Sequence, residues 1–258
     1  MGTTTISIVT YNNEQEITQR LTELIPVFNN QSVESVIIVD SGSNDETARL
    51  ASEFADTHEK VTLIALKNNN GFGFGHNVAL NRSRSKYHLV MNLDSNPMDS
   101  TVVEKMAQDM DLNTEVGLLS PLVVFPNGEV QRLTRKEPTV LDLAIRFLGP
   151  NVMKKRQDDF VNLSTGYDTR QRIYNATGSF MFFRKSVLDQ IGGFDERFFL
   201  YMEDTDVTKS VNQVSEAWFE PNYVVEHEWQ RGNHSFKGAS LLIVSMLKYF
   251  KKWGWKFW

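Results

Sequence analysis

Through the first 92 residues, short apolar runs rich in β-branched side chains alternate with segments of helical spacing. Thr5 to Tyr11 (TISIVTY) reads as a buried strand. Glu14 to Phe28 carries Ile17, Leu21, Leu24, Ile25 and Phe28 on one helical face, and Pro26 is expected to fray or end that helix early. Ser35 to Val39 (SVIIV) is a second strand, stopped by Asp40-Ser41-Gly42-Ser43. Asn44 or Asp45 can cap the helix that follows to about Phe54. Val61 to Leu66 is a third strand. Asn68 to Gly75 is an Asn/Gly-rich turn into a helix through Asn77, Leu80 and Arg84, and Tyr87 to Asn92 (YHLVMN) is a fourth strand.

This alternation predicts right-handed crossovers and an α/β fold with a mostly parallel central sheet flanked by helices. Ligands of such sheets sit at the carboxyl ends of the strands. Polar clusters lie at three of those ends: Tyr11-Asn12, Asp40-Ser41-Gly42-Ser43 and Asn92-Leu93-Asp94. The second half is less regular. Val116 to Phe125 holds strand-like runs broken by Pro121, followed by a Pro126-Asn127-Gly128 turn. A short helix is expected around Leu141 to Leu148, and a mobile loop between Lys154 and Arg172, where apolar anchors are few. Ser179 to Phe183 reads as a buried strand and Lys185 to Ile191 as a helix ended by Gly192-Gly193. A helix over Asp204 to Val214, a strand over Ala217 to His227 and a long helix over Gly238 to Trp253 complete the pattern.

Composition narrows the function. A net charge of −5 argues against a general nucleic-acid binder. The absence of cysteine excludes disulfide scaffolds, thiolate zinc sites and thiol nucleophiles. No charged-then-apolar segment opens the chain and no run nears bilayer-spanning length, so a soluble or surface-attached protein is expected. There is no P-loop motif. The glycine run Gly71-Phe72-Gly73-Phe74-Gly75 follows the third strand rather than the first and lacks dinucleotide spacing, which disfavours hydride transfer.

The segments TISIVTYN, VIIVDSGSNDET, NNNGFGFGHN, YHLVMNLDSN and GSFMFFRKSVLDQIGGFDERFFLYMEDTDV occur in this order. Together they resemble the family 2 glycosyltransferases of the GT-A fold, especially the bacterial branch that includes rhamnosyltransferases. The resemblance runs from about Thr5 to His227. It implies a Rossmann-like nucleotide-binding half, about residues 1–98, and an acceptor-binding half, about 99–236, in one catalytic domain, with residues 237–258 as a C-terminal helix and tail. It also implies inverting transfer of a sugar from a nucleotide diphosphate sugar, assisted by Mg²⁺ or Mn²⁺, which neutralise a diphosphate leaving group.

By that resemblance Asp94 is the metal ligand, with Asn92 a weaker partner. Leu93 stands where many relatives have Pro, and Asn96 remains a candidate if the register shifts. His227 is a metal or diphosphate ligand, with His234 its competitor, and Arg231 is placed to pair with the diphosphate. Thr10, Tyr11 and Asn12 line the base, Glu14 reaches the ribose, and Asp40 with Ser41 holds the nucleoside. Gly71 and Asn77 approach the sugar or diphosphate. Asp204 is the base that deprotonates the acceptor, with Glu203 as its alternative or an acceptor-orienting group. Gly178, Ser179 and Asp195 line the acceptor side. The plainer reading of each is structural: a turn-former at Asp40, a tight turn at the glycines, and a helix start at Glu203, Asp204 and Asp206.

Residues 248–258 (KYFKKWGWKFW) hold four lysines, six aromatics and no acid. That suits an anionic headgroup layer, or equally a helix packing its aromatics on the domain or on a second copy of the chain. The expectation is therefore an inverting, metal-dependent glycosyltransferase. It would take dTDP-rhamnose first, or UDP-hexose or UDP-galactofuranose, and extend a lipid-linked oligosaccharide for O-antigen, capsule or another surface polysaccharide. It would sit in the cytoplasm, on the inner face of the bacterial membrane, with a homodimer as one option. Two rivals remain: a sugar-nucleotide nucleotidyltransferase, which would want a basic Gly-rich loop where Tyr11-Asn12-Asn13-Glu14 stands, and a non-catalytic glycan-binding subunit.

Overall fold

A computed structural model describes residues 3–149, 151–228 and 236–258. A nine-stranded mixed sheet runs through the molecule in the order β3-β2-β1-β4-β8-β6-β9-β5, with β7 also on β9. Its first four strands are β1 (Thr4–Thr10), β2 (Val33–Asp40), β3 (Val61–Ala65) and β4 (Tyr87–Met91). All pair in parallel, with β1 at the centre between β2 and β4. The TTISIVT run of β1 is nearly continuous in apolar and β-branched residues because both of its faces are covered.

The helices between these strands follow their apolar spacing. Pro26 breaks the first in two: α1 (Ile17–Glu23) stops and α2 (Ile25–Phe28) restarts with the proline in its first turn, where the missing N–H costs nothing. In α3 (Thr47–Asp56) Thr47, Ala51 and Phe54 turn inward. Neither Asn44 nor Asp45 is its cap residue; Glu46 is, while the Asp45 carboxylate accepts from Thr47 N–H at 3.0 Å. The helix α4 (Phe72–Leu80) begins inside the glycine run rather than after it. Its glycines thin the helix: a Cβ on Gly75 would lie 2.7 Å from Val9 Cγ2, and one on Gly73 2.8 Å from Phe194 Cβ.

The strands of the second half are β5 (Ser95–Pro97), β6 (Val116–Val124), β7 (Gln171–Arg172), β8 (Phe180–Arg184) and β9 (Glu216–His227). Here β8 runs antiparallel between β4 and β6, and β6 runs parallel to β9. Pro121 does not break β6. Its missing N–H coincides with a register shift against β9 between Pro121 and Leu122. Helix α5 (Val102–Leu112) covers one face through Val102, Val103, Met106, Ala107 and Met110. On the other side lie α8 (Lys185–Ile191) and α9 (Glu203–Val214), packed around Phe183, Leu188, Val207 and Val211.

A third cluster joins α6 (Val140–Phe147), α7 (Lys154–Phe160) and α10 (Phe236–Trp253) around Phe198, Met202 and Tyr249. The expected mobile loop is thus partly helical. Its later part is anchored by Tyr167, whose hydroxyl donates to the Val161 carbonyl at 2.7 Å. Two histidines lie deep in the main core: His76 Nδ1 and His88 Nε2 both reach Ser7 Oγ, at 2.8 and 2.9 Å, and burial pushes both well below the usual imidazole range.

Candidate active site

The ends of the first two strands brace one another. Asp40, at the end of β2, accepts from Gly42 N–H at 3.1 Å, from Ser43 N–H at 3.0 Å, and from the Ser43 and Thr10 hydroxyls. Asn12, held at φ +56°, accepts from Asn44 N–H at 2.9 Å and donates its own N–H to Ser43 Oγ at 2.9 Å. Glu14 accepts from Glu46 N–H at 3.1 Å, so one oxygen of its exposed carboxylate steadies the start of α3. Tyr11 projects outward, half-exposed. The Ser41 hydroxyl is buried without a partner among the described residues.

Two of the residues expected at the donor are engaged within the protein. Asn77 has no free amide group: its Nδ2 donates to Phe194 O at 2.8 Å and to Glu196 Oε1 at 3.0 Å, while its Oδ1 accepts from Phe194 N–H at 2.8 Å. It clasps α4 to the loop after Gly193. Gly71, at φ +100°, packs closely on the chain, since a Cβ there would lie 2.3 Å from Phe199 O. Asp195 is engaged likewise. It pairs with Arg197 and, at 2.9 Å, with Lys252, and these hold its carboxyl well below the usual range. Arg231 and His234 lie outside the described residues.

The fourth strand end is different. Asp94 follows β4, and β5 then pairs antiparallel with the end of β9, Ser95 opposite His227. That pairing brings His227 Nε2 to 3.3 Å from Asp94 Oδ1 and 3.4 Å from Asn92 Nδ2. Behind the ring, Nδ1 lies 3.4 Å from Gln131 Oε1, and Gln131 Nε2 donates to the His227 carbonyl at 2.6 Å. An amide oxygen facing Nδ1 favours a proton there; Nε2 donates to Asp94 when the ring carries its second proton and offers a lone pair when it does not. Burial raises the Asp94 carboxyl, but the hydrogen bond and charge of His227, with a contribution from Arg20, outweigh it and set it below the usual range. Asn96 is paired with Glu226, one position along from the His227 pair, and so lies on the opposite face of β5.

This donor set of one carboxylate oxygen and one imidazole nitrogen, aimed at one another, fits a divalent cation. Among the described residues no three His, Cys, Asp or Glu side chains converge. A cation here would complete its shell with diphosphate oxygens and water, as Mg²⁺ commonly does.

The start of β8 links this end to the acid pair. Ser179 O accepts from Asn92 N–H at 2.9 Å and from Ser95 Oγ at 3.0 Å, and Gly178 N–H donates to Asp204 Oδ2 at 3.3 Å. Asp204 Oδ1 also accepts from Thr205 N–H at 2.7 Å. The turn before α9 is strained: Tyr201 and Met202 both sit at φ +68°. It presents Asp204 to the partly open side and buries Glu203, whose Oε2 has no partner among the described residues. Burial, then the neighbouring Asp204 charge, push the Glu203 carboxyl up. Asp206 faces away, bonded to Lys252 Nζ at 2.7 Å and Trp253 Nε1 at 2.7 Å.

Three basic or amide side chains escaped the sequence reading. Gln131 supports His227, but a lone glutamine after a turn carries no pattern. Arg135 has a buried Nε without a partner among the described residues. Burial lowers its guanidinium, and the charges of Asp204 and Tyr167 oppose that. Arg20 pairs with Glu228 beside Asp94. A basic residue on the polar face of an amphipathic helix gives no sign of such a place.

The family model described as glycosyl transferase family 2 matches residues 5–192. The N-acetylglucosaminyl-diphospho-decaprenol L-rhamnosyltransferase of Mycobacterium tuberculosis is 26% identical over 188 residues, covering 67% of this chain and 59% of that protein. The chain thus spans less than two thirds of that relative's length. Among solved structures, the Pyrobaculum calidifontis mannosyltransferase with GDP-Man and Mn²⁺ superposes with a TM-score of 0.67 at 19% identity, over 97% of this chain and 64% of that one. Staphylococcus aureus TarS residues 1–349 with UDP gives 0.60 at 19% identity, over 95% and 65%. These structures share the fold of the GT-A glycosyltransferases. With nearly three quarters of its length matched by one family model, the chain belongs to glycosyl transferase family 2.

Proposed function

We propose that the protein is an inverting glycosyltransferase that moves a sugar from a pyrimidine nucleoside diphosphate to a hydroxyl of a lipid-linked acceptor. The observation that supports it best is the joining of two unlike polar centres by Gly178 and Ser179. Asp94 and His227 lie on one side, and Glu203 and Asp204 on the other. Asp204 takes the acceptor hydroxyl proton as that oxygen bonds to the anomeric carbon. The carbon–oxygen bond to the diphosphate breaks on the opposite face, and the nucleoside diphosphate leaves with the electron pair. Glu203, raised by burial and by Asp204, keeps its proton, so the pair does not carry two buried charges and its hydroxyl can donate to a substrate oxygen. Asp94 and His227 are the residues that would hold a divalent cation, which would supply positive charge toward the leaving diphosphate.

The relative's acceptor carries a diphospho-decaprenol, and its transferred sugar is L-rhamnose. Both support a lipid-linked acceptor and a dTDP-rhamnose donor for this chain, with UDP sugars next. Such an acceptor would bring the enzyme to a membrane surface. The test is a calorimetric and thermal-shift screen against dTDP, UDP, GDP and CDP with and without Mn²⁺. A Mn²⁺-dependent shift with dTDP or UDP, lost in Asp94→Ala, is expected. No shift with any of the four overturns the proposal.

A further inference from the structure

Helix α10 is apolar on two faces, and only one of them is covered. Ser245, Tyr249 and Phe250 are buried, with Leu242, Met246 and Trp253 packed against the third cluster. The same helix exposes Ile243, Val244 and Leu247, each about half accessible, and Lys251 continues that line by helical spacing. Beyond it, Trp255, Phe257 and Trp258 are also more than half exposed. The tail is nevertheless fixed, because its Lys256 and Phe257 carbonyls accept from the first backbone N–H groups of α6. Sixteen large apolar side chains are exposed among the described residues. Nine of them lie on α10, this tail or the α6–α7 connection (Leu148, Val152, Met153), so the exposure is concentrated in the third cluster.

Residues 236–258 carry five lysines and no acid in a chain of net charge −5. Lys252 is committed to Asp206 and Asp195, and Lys248 Nζ donates to the Arg197 carbonyl. Lys251 lies in the exposed line and Lys256 in the tail. A second copy packed on this stripe through a two-fold axis would set lysines against lysines with no acid on the helix to answer them. An anionic lipid surface answers both features, taking up the apolar line and the aromatics while its headgroups neutralise the lysines. No helix among the described residues is long and apolar enough to cross a membrane.

We propose that the outer stripe of α10, Ile243, Val244 and Leu247, and the aromatic tail form a docking face for an anionic bilayer. The proposal extends the lipid-linked acceptor reading. It also gives the clasp between α10 and α9 a purpose. Lys252 and Trp253 hold Asp206, and Ser245 Oγ donates to Leu200 O at 2.9 Å, so the docked helix is fixed to the turn that presents Asp204.

Flotation of the full chain with vesicles tests it. The vesicles are phosphatidylcholine alone, or phosphatidylcholine with about one third phosphatidylglycerol. The protein is expected to float with the anionic vesicles only. The triple variant Ile243→Ser, Val244→Ser, Leu247→Ser is expected to lose at least about tenfold in partitioning. Leu112→Ser, an exposed leucine on α5, should leave it unchanged. Absence of flotation on anionic vesicles, or equal flotation of the triple variant, overturns the proposal. So does sedimentation of the lipid-free protein as a dimer that the triple variant dissolves, because a second copy then covers the stripe. The assay needs no nucleotide. Failure here beside an intact Mn²⁺-dependent nucleotide shift removes the docking face and leaves the transferase reading standing.

Discussion

Asp40 and Glu203 are both almost fully buried acids beside the proposed donor and acceptor sites, yet their surroundings are opposite. Four donors converge on Asp40, two of them backbone N–H groups of its own turn. Glu203 has an oxygen with no partner among the described residues and a second carboxylate as its neighbour. Burial alone therefore does not mark chemistry here. A satisfied acid holds the scaffold in place. An unsatisfied one remains only where something else compensates, and Glu203 is the buried carboxylate with an unpartnered oxygen among the described residues. The turn around Asp40 is a finished piece of the frame, whereas the start of α9 holds an acid with an oxygen left open beside Asp204.

The sharpest way to break this contrast is to neutralise an acid in each region. Asp204→Asn is expected to lower the transfer rate by about 10³-fold while donor affinity stays the same. Asp40→Asn, which weakens the turn at the end of β2, should lower the melting temperature and leave the rate at saturating donor within a few-fold. Steady-state kinetics and a melting curve on each variant decide it. Near-normal turnover in Asp204→Asn would remove the base from the mechanism.

A smaller effect tests the support behind His227. Gln131 touches neither donor nor acceptor in the proposed mechanism, so it acts only by orienting the ring. Gln131→Leu should shift the Mn²⁺ concentration needed for nucleotide binding upward by about 10- to 100-fold, with little change in the melting temperature without metal. An unchanged Mn²⁺ midpoint would mean that the glutamine is merely a buried filler.

The same contrast explains what could be read in advance. The parallel strands, the helix ended by Gly192-Gly193 and the order of the strand-end polar clusters follow from local patterns, and they appear where the residues predict them. What a side chain does with its hydrogen bonds is not local. Nothing around Asn77 in the sequence shows that Phe194 and Glu196, more than a hundred residues later, bond its amide. Nothing around Asp195 shows that Lys252 folds back onto it. Gln131 reads as nothing until β9 brings His227 alongside. Long-range pairing set those roles, and the sequence pattern around each residue does not carry it.

Glu203 also gives the contrast a signature in stability. Its carboxyl is raised in the folded protein by burial and by Asp204, so the native state holds a proton that the unfolded chain releases near pH 4.5. Between that value and the raised one the folded form binds more protons than the unfolded form, and stability must fall as pH rises through the window. Glu203→Gln keeps the shape and removes the titration. The variant should therefore lose less stability than the parent between weakly acidic and neutral pH. The difference in slope should be a fraction of the roughly 1.4 kcal/mol per pH unit that one full proton carries. Denaturant melts at several pH values would show two lines that diverge as pH rises, with the variant above the parent. Parallel lines would mean that Glu203 is already ionised in the folded protein, and the proton assigned to the acid pair would have to be withdrawn.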